Sequence, residues 1–147
     1  MYLAMLVIFQ PPTKAMMKSK SIKFLLASGL LAIAAASAAL PAVDVKQGAA
    51  LQSSGALLLD VREDYEYAQG HAPGSVLIPL GQLQQRLHEI VGYKNRPVAL
   101  ICRSGNRSAQ ALKLLESAGF SAAVNVEGGM IAWQKAGLPV ISGAASR

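Results

Sequence analysis

The segment Cys102-Arg103-Ser104-Gly105-Asn106-Arg107-Ser108 carries the only cysteine of this 147-residue chain, at the place where a strand should become a helix. Before it, Pro97-Val98-Ala99-Leu100-Ile101 reads as a buried strand of a parallel sheet. After it, Ala111, Leu114, Leu115 and Ala118 fall at i, i+3, i+4 and i+7, one face of a helix that Gly119 stops. Cys102 is therefore expected at the carboxyl end of a strand, the edge of an open α/β sheet where ligands usually bind. The chain must turn sharply there, and Gly105 supplies the backbone freedom to do so. Successive N–H groups in such a turn, beside a helix N-terminus, form a concave nest for an anion. A thiol in that nest, with Arg103 and Arg107 close by, is acidified and nucleophilic. An inert cysteine capping a core strand is the alternative, since cysteines are often buried. Two arginines and a glycine are odd company for inert packing.

The elements that must position this loop alternate along the chain. Pro41 to Val45 is a short opening strand, Lys46 to Ser54 a helix, and Ala56 to Val61 an uninterrupted apolar strand covered on both faces. Asp64 caps a short helix through Gln69, with Gly70 ending it. Pro73-Gly74 is a turn and Ser75 to Ile78 the next strand. Gln82 to Val91 is a helix with Leu83, Leu87 and Ile90 on one side. Ala122 to Val126 is a last strand, and Met130 to Ala136 a last helix ahead of Gly137. Alternating strands and helices predict one α/β domain over 39–147, with a mostly parallel sheet of about five strands covered by helices on both faces.

The front of the chain has a different character. Phe24 to Leu40 carries no charge and is mostly Leu and Ala; Lys18, Lys20 and Lys23 precede it, and Ala36-Ser37-Ala38 offers small residues for cleavage. That is the layout of a secretory signal peptide over 1–38, and the mature domain is expected to be exported. An uncleaved N-terminal membrane anchor is the alternative, though Gly29 and abundant Ala lower the hydrophobicity of a marginal span. Residues 1–15 fit the plan poorly, and Met16 or Met17 makes a better start. The net charge of +6 is largely carried by this leader: Lys14, Lys18, Lys20 and Lys23 lie in it, leaving ten basic against eight acidic residues and a net +2. Such a balance gives no case for nucleic acid. One cysteine cannot form an internal disulfide, and with His71 and His88 and no C-x-x-C no zinc cluster follows.

Asp60-Val61-Arg62-Glu63, Gly70-His71-Ala72-Pro73-Gly74-Ser75, Ile78-Pro79-Leu80, the Cys102 loop, and Glu127-Gly128-Gly129 with Trp133 together resemble a single rhodanese domain, in order and spacing from about Val43 to Pro139. The leader plus one small domain is most similar to the periplasmic single-domain sulfurtransferases. The resemblance implies transfer of sulfane sulfur through a persulfide on Cys102. The partners it implies are a small anionic donor such as thiosulfate and a thiol or cyanide acceptor; no cofactor is needed and a monomer is expected. A persulfide carrier, or a binding module for a partner protein, is the alternative. The residue chemistry agrees: guanidinium groups of Arg103 and Arg107 can hold the sulfonate end of a dianion through fork-like hydrogen bonds.

A cysteine-dependent phosphatase or arsenate reductase also puts a thiolate in an anion nest, but its cradle needs C-x5-R, whereas Arg107 here makes C-x4-R, a smaller ring suited to sulfur. Asp60 and Arg62 are expected to form a strand-end ion pair that fixes neighbouring loops. His71 is expected to anchor its loop by a hydrogen bond rather than act as a base, because sulfur transfer needs no proton abstraction once the thiol is ionised. Gly128-Gly129 allows positive φ ahead of the last helix, and Trp133 packs that helix to the sheet.

Overall fold

Every position from Leu57 to Asp60 is buried, and so is every position from Val98 to Ile101. Strands with no wet face must be covered by helices on both sides. The computed structural model describes residues 41–145 and contains that arrangement; the expected leader over 1–38, its cleavage site and the anchor alternative lie outside the described residues. In chain order the elements are β1 (Ala42–Val43), α1 (Val45–Ser53), β2 (Leu57–Asp60), α2 (Asp64–Gln69), β3 (Val76–Leu77), α3 (Leu80–Arg86), a 3-10 segment (Leu87–Tyr93), β4 (Val98–Ile101), α4 (Asn106–Ser117), β5 (Ala123–Val126) and α5 (Gly129–Lys135). The sheet order is β1-β5-β4-β2-β3, with every pairing parallel.

Alternation along β2 and β4 divides the core in two. Leu57, Leu59, Val98, Leu100 and Cys102 point to the side covered by α3 and α4, where Leu83, Ala111, Leu112 and Leu115 meet them. Leu58, Ala99 and Ile101 point to the opposite side, where Val45 of α1 and Met130 and Trp133 of α5 close the layer. Trp133 is almost fully buried, and its indole N–H donates to the Pro139 carbonyl at 2.9 Å. The register sets Asp60 of β2 beside Ile101 of β4, so the ends of the two central strands deliver Asp60 and Cys102 to one edge of the sheet.

Several boundaries differ from the sequence reading for local reasons. The opening strand stops at Val43, because Asp44 and Gln47 form a capping box that starts α1 at once (Gln47 N–H to Asp44 Oδ1, 2.8 Å; Asp44 N–H to Gln47 Oε1, 3.0 Å). The cap of α2 is Glu63 rather than Asp64. The helix expected over 82–91 begins at Leu80 and tightens to 3-10 after Arg86. Leu87, Ile90 and Tyr93 then recur every third residue, the 3-10 period, and all three pack on the α4-side core. On α4 the fully buried stripe is Ser108, Ala111, Leu112 and Leu115, with Leu114 and Ala118 only flanking it. The helix starts at Asn106, a turn earlier than its apolar residues indicate, so its inward face opens with a serine.

The β5–α5 connection approaches the Cys102 loop more closely than any side chain would permit. Gly129 has φ +53°, and a Cβ there would collide with the Cys102 carbonyl oxygen and lie 2.6 Å from the Arg103 carbonyl carbon. Met130 N–H donates to that Cys102 carbonyl at 2.8 Å, and Ile131 N–H to the Arg103 carbonyl at 3.1 Å. Gly129→Ala is expected to destabilise the domain, by at least roughly 1–2 kcal/mol from the left-handed backbone alone, with the collision added to it. Equilibrium urea unfolding measures this; a variant as stable as the parent would refute the close approach.

Candidate active site

Ile101 ends β4, and the chain leaves the sheet with the Cys102 side chain still facing α4, 1% exposed. Gly105, at φ +98°, turns the chain and precedes the first residue of α4. Its N–H donates to Cys102 Sγ at 3.1 Å. Ser108, fully buried in the first turn of α4, places its hydroxyl 3.4 Å from the same sulfur and 3.0 Å from the Gly105 carbonyl. A hydroxyl has one proton, so it can serve only one of these acceptors at a time, and an anionic sulfur is the stronger claimant. Burial, the largest single influence, pushes the thiol up; the Ser108 hydroxyl and the amides of Ser108, Ser104 and Gly105 together outweigh it and leave the thiol more acidic than usual. A loop of amides thus stabilises the thiolate in a site almost without water.

The two arginines are placed differently from each other. Arg103 and Ser104 are exposed at the mouth of the loop, as is Asn106, the first residue of α4. Among the described residues Arg103 makes no ion pair. Arg107, expected to reach for the donor, instead sends both terminal nitrogens to Glu66 of α2, at 2.6 and 2.7 Å. Its guanidinium is therefore occupied, for a reason the sequence concealed: the carboxylate that engages it lies 41 residues earlier. Glu66 also accepts the Glu63 N–H at 3.1 Å. The Arg107 hydrogen bond, opposed by burial, holds the Glu66 carboxyl below its usual range. The clasp is consequently intact at neutral pH and is lost only as pH falls through that lowered value.

Asp60 and Arg62 form a buried fork-like pair: Arg62 Nη2 meets Asp60 Oδ2 at 2.7 Å, and Arg62 Nε lies 3.0 Å from both carboxylate oxygens. The remaining Arg62 donors go to the carbonyls of Glu66 (3.3 Å) and Gly70 (2.9 Å), so the pair spans α2 from its middle to its end. His71 stacks on Tyr67 (ring centroids 3.6 Å apart, 11° between planes), and its Nδ1 lies 2.8 Å from the Tyr67 carbonyl. Its backbone exchanges two hydrogen bonds with Ile141. His71 is thus built into the frame and does not touch the Cys102 loop by any hydrogen bond.

A cleft of about 380 Å³ opens beside the loop, lined by Arg62, Tyr65, Glu66, Arg103, Ile131 and Gln134 among others. A larger one of about 640 Å³, between α2, β3 and the 3-10 segment, contains no residue of the loop. Among the described residues no group of three or more His, Cys, Asp and Glu could hold a metal ion. Two contributors escaped the sequence reading. Glu66 sits in an unremarkable acidic turn whose only signal was its spacing from Glu63. Met130 acts through its backbone amide, which no side-chain pattern can reveal.

The thiol at a strand end, the amide loop and the glycine pair pressed against it occur within a stretch, residues 44–136, that matches the family model described as a rhodanese-like domain. The chain belongs to the rhodanese-like family. It is a family of the sulfurtransferase and sulfur-carrier type. A sulfurtransferase of Allochromatium vinosum is 41% identical over 86 residues, covering 58% of this chain and 78% of that one. An uncharacterised Synechocystis relative, 36% identical, is matched over only 49% of its length. Among solved structures, a thiosulfate sulfurtransferase of Pseudomonas aeruginosa superposes with a TM-score of 0.63 at 26% identity, over 71% of this chain and 20% of that one. A rhodanese with anions from E. coli gives 0.53 at 29% identity, over 60% of this rhodanese-like chain and all of that one.

The direction of the thiol's shift has a sign that can be checked. An unfolded chain keeps the thiol proton to higher pH than the folded one, so raising pH between the two values favours the fold. The same inequality means alkylation of Cys102 with a small reagent rises at lower pH than for free cysteine, near ~8.5. Iodoacetamide modification followed against pH measures it. An inflection at or above the free-cysteine value would mean that the amides do not hold a thiolate.

Proposed function

We propose that this rhodanese-like protein is a thiosulfate-type sulfurtransferase working through a persulfide on Cys102. The observation that carries the proposal is a nearly buried thiol met by the Gly105 amide and the Ser108 hydroxyl, its proton affinity lowered by donors rather than by a base. In the first half-reaction the thiolate attacks the outer, sulfane sulfur of thiosulfate. The S–S bond of the donor breaks, sulfite departs with the electron pair, and the enzyme keeps one extra sulfur as a persulfide anion. In the second, cyanide or a thiolate attacks that outer sulfur, forms thiocyanate or a new persulfide, and returns the Cys102 thiolate. No proton changes hands, which fits a site where His71 is engaged elsewhere. The cycle is ping-pong.

Donor charge is met at the mouth by Arg103, exposed and free of an ion pair among the described residues. The thiosulfate sulfurtransferase and the anion-bearing rhodanese among the structural neighbours support an anionic donor. A second reading, delivery of the sulfur to a protein thiol, is favoured by Tyr65 and Ile131, 66% and 53% exposed, which line the cleft next to the loop.

Thiosulfate treatment is expected to add the mass of one sulfur atom to the protein, removable by cyanide. Cys102→Ser is expected to show neither the adduct nor thiocyanate formation, and intact-mass spectrometry with a thiocyanate assay decides both. Arg103→Ala removes a charge-assisted contact of roughly 1.5–3 kcal/mol, about ten- to a hundredfold in kcat/KM for thiosulfate, while leaving cyanide's attack on a preloaded persulfide little changed. Substantial activity in the Cys102→Ser protein would end the persulfide reading.

We also propose export to the periplasm through the leader read from residues 1–38. The expected mature N-terminus is Ala39, recovered in the soluble periplasmic fraction. N-terminal sequencing of the fractionated protein tests it; full-length protein in membranes would favour the anchor.

A further inference from the structure

Glu66 lies outside the loop that carries the thiol, yet its carboxylate grips the arginine that follows that loop. Oε2 accepts Arg107 Nη1 at 2.6 Å and the Glu63 N–H at 3.1 Å, and Oε1 accepts Arg107 Nη2 at 2.7 Å. The Glu66 carbonyl accepts Arg62 Nη1 at 3.3 Å, and Arg62 is itself locked on Asp60. One residue of α2 therefore ties the end of β2 to the start of α4. Arg107 is the second residue of α4 and immediately precedes Ser108, whose hydroxyl faces the sulfur. The two-point geometry of a guanidinium on a carboxylate fixes orientation as well as distance. The Glu66 side chain is only 15% exposed, so the pair is incompletely screened by water.

We propose that Glu66 is a positioning residue of the sulfur site: it clamps Arg107, and with it the first turn of α4, against α2, and it cancels the Arg107 charge. The sulfur anion is then held by amides and Ser108, and Arg103 is left as the cation that an incoming donor meets. This rests on Cys102 being the sulfur-bearing residue.

The charged groups around the thiol can be taken element by element. At the end of β2, Asp60 and Arg62 neutralise each other. From the cap and body of α2 come Glu63 and Glu66, and from the loop and α4 come Arg103 and Arg107. From the β5–α5 turn comes Glu127, exposed beside Gly105. Within this set, neutralising Glu66 leaves Arg107 uncompensated near the thiolate, and neutralising Arg107 leaves Glu66 uncompensated at the same place. The two substitutions must therefore move the thiol in opposite directions. A strut with no electrostatic part would loosen the same turn when either half was lost, and both variants would move the same way.

The test is the pH dependence of Cys102 alkylation in the full chain, which needs no sulfur donor. Its failure is thereby distinct from failure to form a persulfide. Glu66→Gln is expected to shift the inflection to lower pH than the parent protein and Arg107→Gln to higher pH. The double variant is expected to return to within about twofold of the parental rate at a fixed pH. Shifts of the same sign, or no shift, would overturn the proposal. Should a charge-removing variant fail to fold, Glu66→Asp keeps the charge while shortening the arm. The loosened clamp is expected to leave its inflection at or above the parental value, and a downward displacement like that expected of Glu66→Gln would overturn the charge-cancelling role.

Discussion

A sulfur anion with almost no contact with water can exist only where the chain supplies its solvation at fixed positions. Here burial works against ionisation, and a serine hydroxyl and three amides work for it and prevail. Amides can do this only if the backbone is held still, and each neighbouring element contributes to holding it. Gly105 takes the left-handed turn that aims its N–H at the sulfur. Gly129 lets the β5–α5 turn close on the loop from the other side, and Met130 and Ile131 fasten the Cys102 and Arg103 carbonyls. The Cys102 and Arg103 carbonyls are thereby tied to α5, while the Gly105 amide faces the sulfur.

The ion pairs serve the same end. Asp60–Arg62 is buried, and such pairs contribute little net stability once desolvation is counted, though removing one partner is costly. Their use here is geometric. Arg62 reads the carbonyls at the middle and end of α2, and Glu66 passes that placement to α4. A parallel sheet delivers its strand ends to one edge but does not orient the loops that leave it, and these two pairs do.

Much of the site was legible in the sequence because it is local. A strand, a glycine turn and a helix within about a dozen residues announce their own geometry, and the apolar runs of β2 and β4 announced a sheet covered on both faces. Boundaries were less legible where polar residues set them. Asp44 with Gln47 cut the first strand short, and Asn106 to Ser108 were read as loop although they form the first turn of α4. The 3-10 segment was hidden because Leu83, Leu87 and Ile90 also satisfy an α period, and only Tyr93 reveals the tighter one. What could not be read was long-range pairing. Arg107 was placed near the sulfur by its position in the loop, but the carboxylate that occupies it is known only once α2 is folded beside α4.

The burial of the single cysteine carries one more consequence. A lone thiol in an oxidising medium ordinarily risks linking two molecules, and a disulfide requires the two Cα atoms to come within about 4.4–6.8 Å. Cys102 sits in a concave loop with α4 on one side and α5 closing behind it, 1% exposed. Two such pockets cannot bring their sulfurs into contact without first dismantling the loop that acidifies them. The fold therefore shields a reactive atom from its own copies by shape, while a small anion or a slender thiolate needs no such room.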